Sequence, residues 1–221
     1  NLRNVYLARL EFDKALEMEI DEEDKLGYID GFEAGRMLPL RKQDSHKGTF
    51  GKVGILGGRR EMAGAGVLAG KGALLSGCGL STLWVESLEG VISQVPELML
   101  ENWESFLNKE VDVLIIGPGL GRIKSLDLEQ VLKGFNGRVL IDADGLYWLK
   151  MGWIKREWIK NDLVLTPHPK EMEVLVSPLA DRISWVRKGA LEYDCTILLK
   201  GHRTLISDGR RTYVNLTGNS G

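Results

Sequence analysis

Six short, mainly apolar runs follow one another from residue 52 onward, and most of them end at Gly, Asp or a Thr-Pro turn. They are VGILGG, LSTLWV, VDVLIIG, RVLIDAD, LVLTPH and TILLKG. A strand with one exposed face alternates polar and apolar residues, so these nearly unbroken runs predict a parallel sheet that is covered on both faces. Helical periodicity between several runs predicts a doubly wound α/β fold, in which ligands bind beyond the carboxyl ends of the strands.

The two ends of the chain have different patterns. TLISD and RRTYVNL, on either side of Gly209, predict a β-hairpin near the C-terminus. Residues 1–40 contain ten Asp or Glu against five Lys or Arg, and they carry apolar residues at helical spacing. We therefore predict that residues 1–26 form an acidic helix or linker and that residues 27–221 form one domain.

Composition and charge narrow the classes of function. The chain has 221 residues, of which 43% are hydrophobic and 27% are charged, as in an ordinary soluble protein with one substantial core. A net charge of −2 gives no field that would attract nucleic acid or an anionic membrane, so we predict neither partner. Cys78 and Cys195 form neither a disulfide framework nor a metal-ligand spacing, which fits a reducing cytoplasm.

Two glycine-rich segments follow predicted strands. GGRREMAGAGVLAGKGALLSG enters a helix, where each interior glycine costs up to about 1 kcal/mol relative to alanine. Close packing of the helix on the sheet is one explanation, and close approach of a ligand near residues 63–66 is the other. IIGPGLGR places Gly117, Gly119 and Gly121 after a buried strand, in a tight turn or in a backbone surface for a flat or phosphorylated ligand. The first of these segments matches neither the Rossmann fingerprint nor the P-loop.

Polar residues follow three further predicted strands. In IDADGL, one of Asp142 and Asp144 can cap the next helix while the other binds or orients a ligand hydroxyl. In LTPHPKEM, His168 lies between two prolines, which fits either a rigid loop or a binding site. In ILLKGHRTLISD, Lys200 and the backbone N–H groups after it suit a nucleotide phosphate, with a solvated lysine in a hairpin as the alternative.

Taken in order, these segments resemble one family, the ADP-dependent NAD(P)H-hydrate dehydratases, over about residues 30–221. The motifs are DSHKGTFGKVGILGG, EMAGAGVLAGKGALLSGCGL, IIGPGLG, DADGL, LTPHPKEM, LLKGHRTLI and VNLTGNSG. The resemblance implies a ribokinase-like fold and a lyase that repairs the S-form of hydrated NADH or NADPH, with ADP consumed to AMP and phosphate. It also implies ATP as an alternative nucleotide, Mg²⁺ arriving with the nucleotide, a homo-oligomer, and an epimerase as fusion partner or associate.

The resemblance also implies roles for individual residues. The residues expected to contact the hydrated dinucleotide are Ala65, Gly117, Gly119 and His168. Those expected to hold the adenine nucleotide are Lys200, Gly201, His202, Arg203 and Thr204. Asp142, Asp144 and Asn219 are expected to support the site. The family's catalytic aspartate belongs to a GTGD segment that we expect after Gly221, so no catalytic residue and no metal ligand is assigned within the 221 residues.

Two other functions fit parts of the sequence. A ribokinase-like small-molecule kinase, for example of a hydroxymethylpyrimidine, would share the fold and would release ADP and a stable phosphorylated product. A non-catalytic nucleotide-binding protein would share the glycine-rich turns. The motifs SHKGTFG and LTPHPKEM favour the dehydratase over both.

Overall fold

The computed structural model describes residues 26–29, 43–88, 95–108 and 110–216. The strands in these ranges are β1 Leu26–Ile29, β2 Lys52–Leu56, β3 Leu80–Val85, β4 Met99–Asn102, β5 Val113–Ile116, β6 Arg138–Ile141, β7 Leu163–Leu165, β8 Thr196–Leu199, β9 Leu205–Ser207 and β10 Thr212–Asn215. They form one sheet in the order β1-β10-β9-β8-β7-β6-β5-β2-β3-β4. Every pairing is parallel except those of β9 with its two neighbours.

Helices connect most of the parallel strands. They are α1 Ala63–Leu75, α2 Glu129–Gly134, α3 Asp144–Lys150, α4 Pro169–Leu175 and α5 Arg182–Glu192. Short 3-10 helices cover Lys47–Phe50, Arg60–Met62, Trp103–Asn108 and Arg156–Trp158. None of the helices in the described ranges is long and apolar enough to cross a membrane.

The alternation of side chains along the strands gives the sheet two apolar faces. On one face, Leu56, Ile116 and Ile141 join a core that also takes buried residues from α2 to α5. On the other face, Ile55 and its neighbours in β3 form a smaller core under α1. The predicted doubly wound, mainly parallel sheet flanked by helices is therefore confirmed.

All six apolar runs contain strands, and the predicted hairpin is the antiparallel pair β9 and β10. The sequence pattern did not predict β1 and β4. Each has four residues, and β4, with the sequence MLEN, is half polar, so neither gives a recognisable apolar run. Residues 1–25, for which we predict a helix or linker, lie outside the described residues. Leu26, the last residue of that predicted segment, is the first residue of β1.

The glycines of α1 divide into two pairs. A Cβ atom at Gly66 would lie 2.7 Å from Cδ1 of Leu83, and one at Gly70 would lie 2.5 Å from Cδ1 of Leu98. At Gly64 and Gly72 a Cβ atom would meet nothing within 4 Å. Close packing on the sheet thus explains Gly66 and Gly70, and it leaves Gly64 and Gly72 without a packing reason.

Candidate active site

The carboxyl ends of parallel strands lie at one edge of the sheet, here called the carboxyl edge. It consists of the segments that follow β2, β5, β6, β7 and β8, which are residues 57–59, 117–122, 142–144, 166–169 and 200–204. These segments contain every predicted site residue except two. Ala65 lies in the first turn of α1, next to this edge, and Asn219 lies outside the described residues.

The turn Gly117–Gly121 is held against the loop after β2. Gly58 N donates to Pro118 O at 2.9 Å, and Arg59 N donates to Gly119 O at 2.6 Å. Gly119 has φ +66°, and a Cβ atom there would lie 2.4 Å from Met62 O and 3.2 Å from the Ala65 Cβ. Glycine at 119 is therefore required by its conformation and by the close approach of α1. This approach brings together Ala65 and Gly119, two of the predicted substrate contacts.

Asp144 fixes the far end of the same turn. Its Oδ2 accepts a hydrogen bond from Gly121 N at 2.9 Å, and its Oδ1 lies 3.5 Å from Arg122 Nε. Trp148 Nε1 donates to Gly121 O at 2.7 Å from within the buried core. Ala143, the residue before Asp144, has φ +48°, a backbone conformation that costs a non-glycine residue on the order of 1–3 kcal/mol. The carboxylate of Asp144 thus has structural partners already.

Lys200 lies between two carboxylates. Its Nζ donates to Asp142 Oδ1 at 2.7 Å and lies 3.7 Å from Glu171 Oε2. The side chains of Lys200 and Asp142 are 39% and 29% exposed, so the ion pair is open to a ligand. It connects the ends of β6 and β8 across β7, which lies between them.

His168 is the N-cap of α4, with Pro169 at the first helical position. Its Nδ1 accepts from Glu171 N at 3.1 Å, and Glu171 Oε2 accepts from His168 N at 2.8 Å, which completes a reciprocal capping box. Because Nδ1 is an acceptor, a neutral ring carries its proton on Nε2. The side chain is 49% exposed, and Nε2 lies 3.4 Å from Glu171 Oε1, so a ligand that accepts from this N–H must share it with that carboxylate or displace it.

The residues 200–204 form a tight turn between β8 and β9, here called the nucleotide turn after the role that the sequence resemblance predicts for it. Lys200 N donates to Pro167 O at 2.9 Å, which ties the turn to the loop that holds His168. Gly201 has φ +142° and Arg203 has φ +54°, both in the left-handed half of backbone space. Thr204 Oγ1 donates to Gly201 O at 3.0 Å and closes the turn.

A cleft of about 830 Å³ lies between α1 and the sheet. Its walls are mainly apolar side chains of β2, β5, β6 and α1, and Pro118, Asp142 and Thr166 line it at the carboxyl edge. Gly72, which has no packing neighbour for a Cβ atom, is also in its wall. The cleft therefore adjoins the site residues and offers an apolar surface beside them.

The two cysteines are free thiols. Burial raises the pKa of Cys195 to about 12 and also raises the pKa of Cys78. Both thiols therefore stay protonated at neutral pH, and neither is a good nucleophile. The described residues contain no group of three or more His, Cys, Asp or Glu side chains that could hold a metal ion.

Sequence reasoning did not assign roles to two residues that organise this edge. Glu171 joins His168 to Lys200, and the spacing of His168 and Glu171, which is that of a capping box, could have indicated it. Arg182 donates to the nucleotide turn from α5, 20 residues earlier in the chain, and no local pattern indicates such a contact.

The fold and the carboxyl-edge site define a ribokinase-like protein. A ribokinase-like superfamily protein from Enterococcus faecalis superposes with a TM-score of 0.75 at 25% identity, covering 88% of this chain and 72% of that one. The ADP/ATP-dependent NAD(P)H-hydrate dehydratase from Bacillus subtilis, co-crystallised with ATP and Mg²⁺, superposes with a TM-score of 0.76 at 28% identity. That comparison covers 87% of this chain and 73% of the Bacillus chain.

A sequence model of the NAD(P)H-hydrate dehydratase family matches residues 53–221. An ADP-dependent (S)-NAD(P)H-hydrate dehydratase from Neisseria meningitidis is 36% identical over 202 residues, covering 84% of this chain and 68% of the relative. A bifunctional NAD(P)H-hydrate repair enzyme from Moorella thermoacetica is 36% identical over 210 residues, covering 83% of this chain and 39% of the relative. The chain therefore belongs to the NAD(P)H-hydrate dehydratase family, and it spans about two fifths of this bifunctional relative.

Proposed function

We propose that this protein is an ADP-dependent dehydratase for the S-form of hydrated NADH or NADPH, giving NAD(P)H, AMP and phosphate. The observation that carries the proposal is the position of Lys200, which pairs with Asp142 and approaches Glu171, the residue that holds His168. The groups assigned to the nucleotide and to the dinucleotide are therefore adjacent. Membership of the family, and the names of its relatives, support the same reaction.

The chemistry needs a phosphoryl donor because the hydroxyl on a hydrated nicotinamide ring is a poor leaving group. In the first step, that hydroxyl loses its proton and bonds to the terminal phosphorus of ADP, while the bond between the two phosphates breaks and AMP leaves. In the second step, the ring carbon–oxygen bond breaks, phosphate leaves, and a proton is lost from the adjacent ring carbon. A kinase-type fold that aligns donor and hydroxyl suits this sequence of steps.

On the nucleotide side, we assign Lys200 and the backbone N–H groups of the nucleotide turn to the phosphates. The ammonium group of Lys200 is exposed enough to move from Asp142 to a phosphate oxygen. Mg²⁺ bound with the nucleotide would neutralise further phosphate charge. Carboxylate oxygens of Asp142 and Glu171 are suitable donors for it, but both face Lys200, so we expect the phosphates to supply most of its ligands.

On the dinucleotide side, we assign Nε2–H of His168, whose other ring nitrogen is committed to capping α4. We assign Ala65, which is exposed, to the face of a flat ring, and the buried Gly117 and Gly119 to the turn that supports it. Asp142 and Asp144 are engaged with Lys200 and with Gly121 respectively, so we assign the proton-accepting role to neither.

Three further features remain predictions. We propose a cytoplasmic location, a homo-oligomer, and cooperation with an epimerase that interconverts the two hydrate epimers. Bifunctional repair enzymes among the relatives support the last of these. Light scattering on the purified full-length protein measures the oligomeric state, and epimerisation of the R-form in the same sample tests for an epimerase.

The decisive test is an assay of the full-length protein with purified hydrated NADH, ADP and Mg²⁺. We expect reduced-nicotinamide absorbance to return, with one AMP and one phosphate formed for each NADH. Omission of ADP and the variant Lys200→Met are the controls, and both should lose the signal. Formation of a stable phosphorylated product from ATP and a hydroxymethylpyrimidine, without dehydration, would instead establish a small-molecule kinase. Nucleotide binding with neither reaction would establish a non-catalytic protein.

A further inference from the structure

Arg182, the first residue of α5, reaches the nucleotide turn from the side. Its Nη1 donates to His202 O at 2.8 Å. Its Nη2 is shielded from solvent and has no hydrogen-bond partner within the described part of the chain. A buried guanidinium nitrogen without a partner is costly, so its retention here calls for an explanation.

The turn that Arg182 contacts has little support of its own. Gly201, His202 and Arg203 are exposed, and Arg203 takes a positive φ without being glycine. Within the described residues, two side-chain hydrogen bonds reach these three residues, one from Arg182 to His202 O and one from Thr204 to Gly201 O. Removal of Arg182 would therefore leave the centre of the turn free to adopt other conformations.

The sequence of the turn is adapted to Arg182 as well. A Cβ atom at Gly201 would lie 3.2 Å from Nη2 of Arg182, and the φ of +142° at Gly201 is accessible to glycine with little strain. The guanidinium group thus packs directly behind the backbone of the turn. Because Nη2 is shielded there, Arg182 acts on a ligand through the turn and not by direct contact.

We infer that Arg182 is the positioning residue of the nucleotide turn and that it holds the backbone N–H groups of residues 201–204 in the orientation that binds the nucleotide phosphates. This inference rests on the proposed function of the turn. The positive charge of Arg182 behind the turn also favours an anion in front of the turn.

The test compares Arg182→Ala and Arg182→Lys with Arg156→Ala. Arg156 is a matched control because its Nε donates to a carbonyl oxygen, Asp194 O at 2.8 Å, away from the carboxyl edge. AMP affinity is measured by calorimetry, and the order of the turn is measured by hydrogen exchange of the amides of residues 201–204. Steady-state kinetics on the full-length protein separate the KM for ADP from the KM for hydrated NADH.

We expect Arg182→Ala to weaken AMP binding about tenfold, the size expected for one charged hydrogen bond, and to speed exchange in the turn. Arg182→Lys should recover part of the affinity, because an ammonium group can still donate to His202 O. The KM for ADP should rise while kcat and the KM for hydrated NADH stay near wild type. Arg156→Ala should leave AMP affinity unchanged.

The outcomes separate this inference from the proposed function. Wild-type protein that does not bind AMP would overturn the proposed function. AMP binding and turn exchange that are equal in wild type and Arg182→Ala would overturn the role of Arg182 alone. If Arg182→Ala does not fold, Arg182→Met, which keeps an aliphatic side chain but has no donor, takes its place, and wild-type affinity and exchange in that variant would overturn the role.

Discussion

Two cavities of similar volume lie beside the sheet, and their linings differ. The cleft that adjoins the carboxyl edge has a volume of about 830 Å³, and a cavity of about 740 Å³ lies at the opposite edge, here called the amino edge, where β5, β6 and β7 begin. Glu110, Asp112 and Asp162 line the amino-edge cavity, with Arg138 as its one cation among the residues that line it. Such an acidic cavity disfavours an anionic dinucleotide, and we propose that one binds instead at the carboxyl edge, beside Lys200 and the glycine turns.

The charged groups of the two edges also differ in their contacts and in their exposure. At the amino edge, Asp112 Oδ2 accepts from Lys52 N at 2.7 Å, and Arg138 pairs with Asp162 at 3.1 Å with both side chains about three-quarters exposed. These contacts fix strand ends and contribute little stability when they are so exposed. At the carboxyl edge, Lys200 joins two strand ends and is only partly exposed. Cavity size therefore does not distinguish the two edges, and the proposed site rests on the arrangement of charges and backbone donors.

The substitution Gly117→Ala should have the largest effect, a loss of stability. A Cβ atom at Gly117 would lie 1.8 Å from Asp142 O, and its φ is +125°. We expect the free energy of unfolding to fall by about 3 kcal/mol or more, measured by urea denaturation. Gly134→Ala, beside the amino-edge cavity, is the control, because a Cβ atom there meets nothing within 4 Å. Equal stability of the two variants would contradict the tight construction of the carboxyl edge.

The substitution Lys200→Met should have the next largest effect, a loss of AMP affinity. Loss of a charged contact to phosphate should weaken AMP binding by roughly thirtyfold, measured by calorimetry. Arg138→Met removes the cation that lines the amino-edge cavity and should leave AMP affinity unchanged. If Arg138→Met weakens binding and Lys200→Met does not, the roles of the two edges are reversed.

Substitutions of His168 should have a smaller effect, on kcat/KM for hydrated NADH, and two variants separate its capping role from its binding role. His168→Ala removes both the cap of α4 and the Nε2 donor, while His168→Asn keeps a good capping side chain. Both should lower kcat/KM for hydrated NADH about fivefold to tenfold, the size expected for one neutral hydrogen bond. His46, which forms a similar capping box before the 3-10 helix Lys47–Phe50, is the control, and His46→Ala should affect stability alone. Wild-type kinetics in His168→Asn would mean that His168 caps the helix and does not bind the substrate.

The smallest effect is a loss of stability in acid that both edges should share. Hydrogen bonds from backbone N–H groups, chiefly Ser184 N for Asp181 and Arg211 N for Asp208, lower the pKa of each carboxyl from its ordinary value of 3.8. A lowered pKa in the folded state gives stability that is complete above the ordinary value and is lost as the pH falls through the folded value. The stability difference between wild type and Asp181→Ala or Asp208→Ala should therefore shrink below about pH 4. A difference that grows in acid would contradict the assignment of these hydrogen bonds.

The sequence predicted the fold better than it predicted the site. Buried parallel strands are apolar without interruption, so six of them could be recognised, whereas the short β1 and β4 could not. The glycine-rich turn and the two prolines beside the histidine predicted roles for Gly119 and His168. The structure gives a local reason for each, a positive φ at Gly119 and a capping box at His168. Contacts between distant segments, such as Lys200 with Asp142 and Arg182 with His202, depend on the order of strands in the sheet. No local pattern encodes them.

A crystal structure of the full-length protein with AMP and hydrated NADH tests the account most directly. The predicted result has the phosphate of AMP on the backbone N–H groups of residues 201–204 beside Lys200, with the hydrated ring within hydrogen-bonding distance of His168 Nε2 and against Gly119. Both ligands would then occupy the carboxyl edge. Density for either ligand in the acidic cavity of the amino edge, with the carboxyl edge empty, would contradict the central claim.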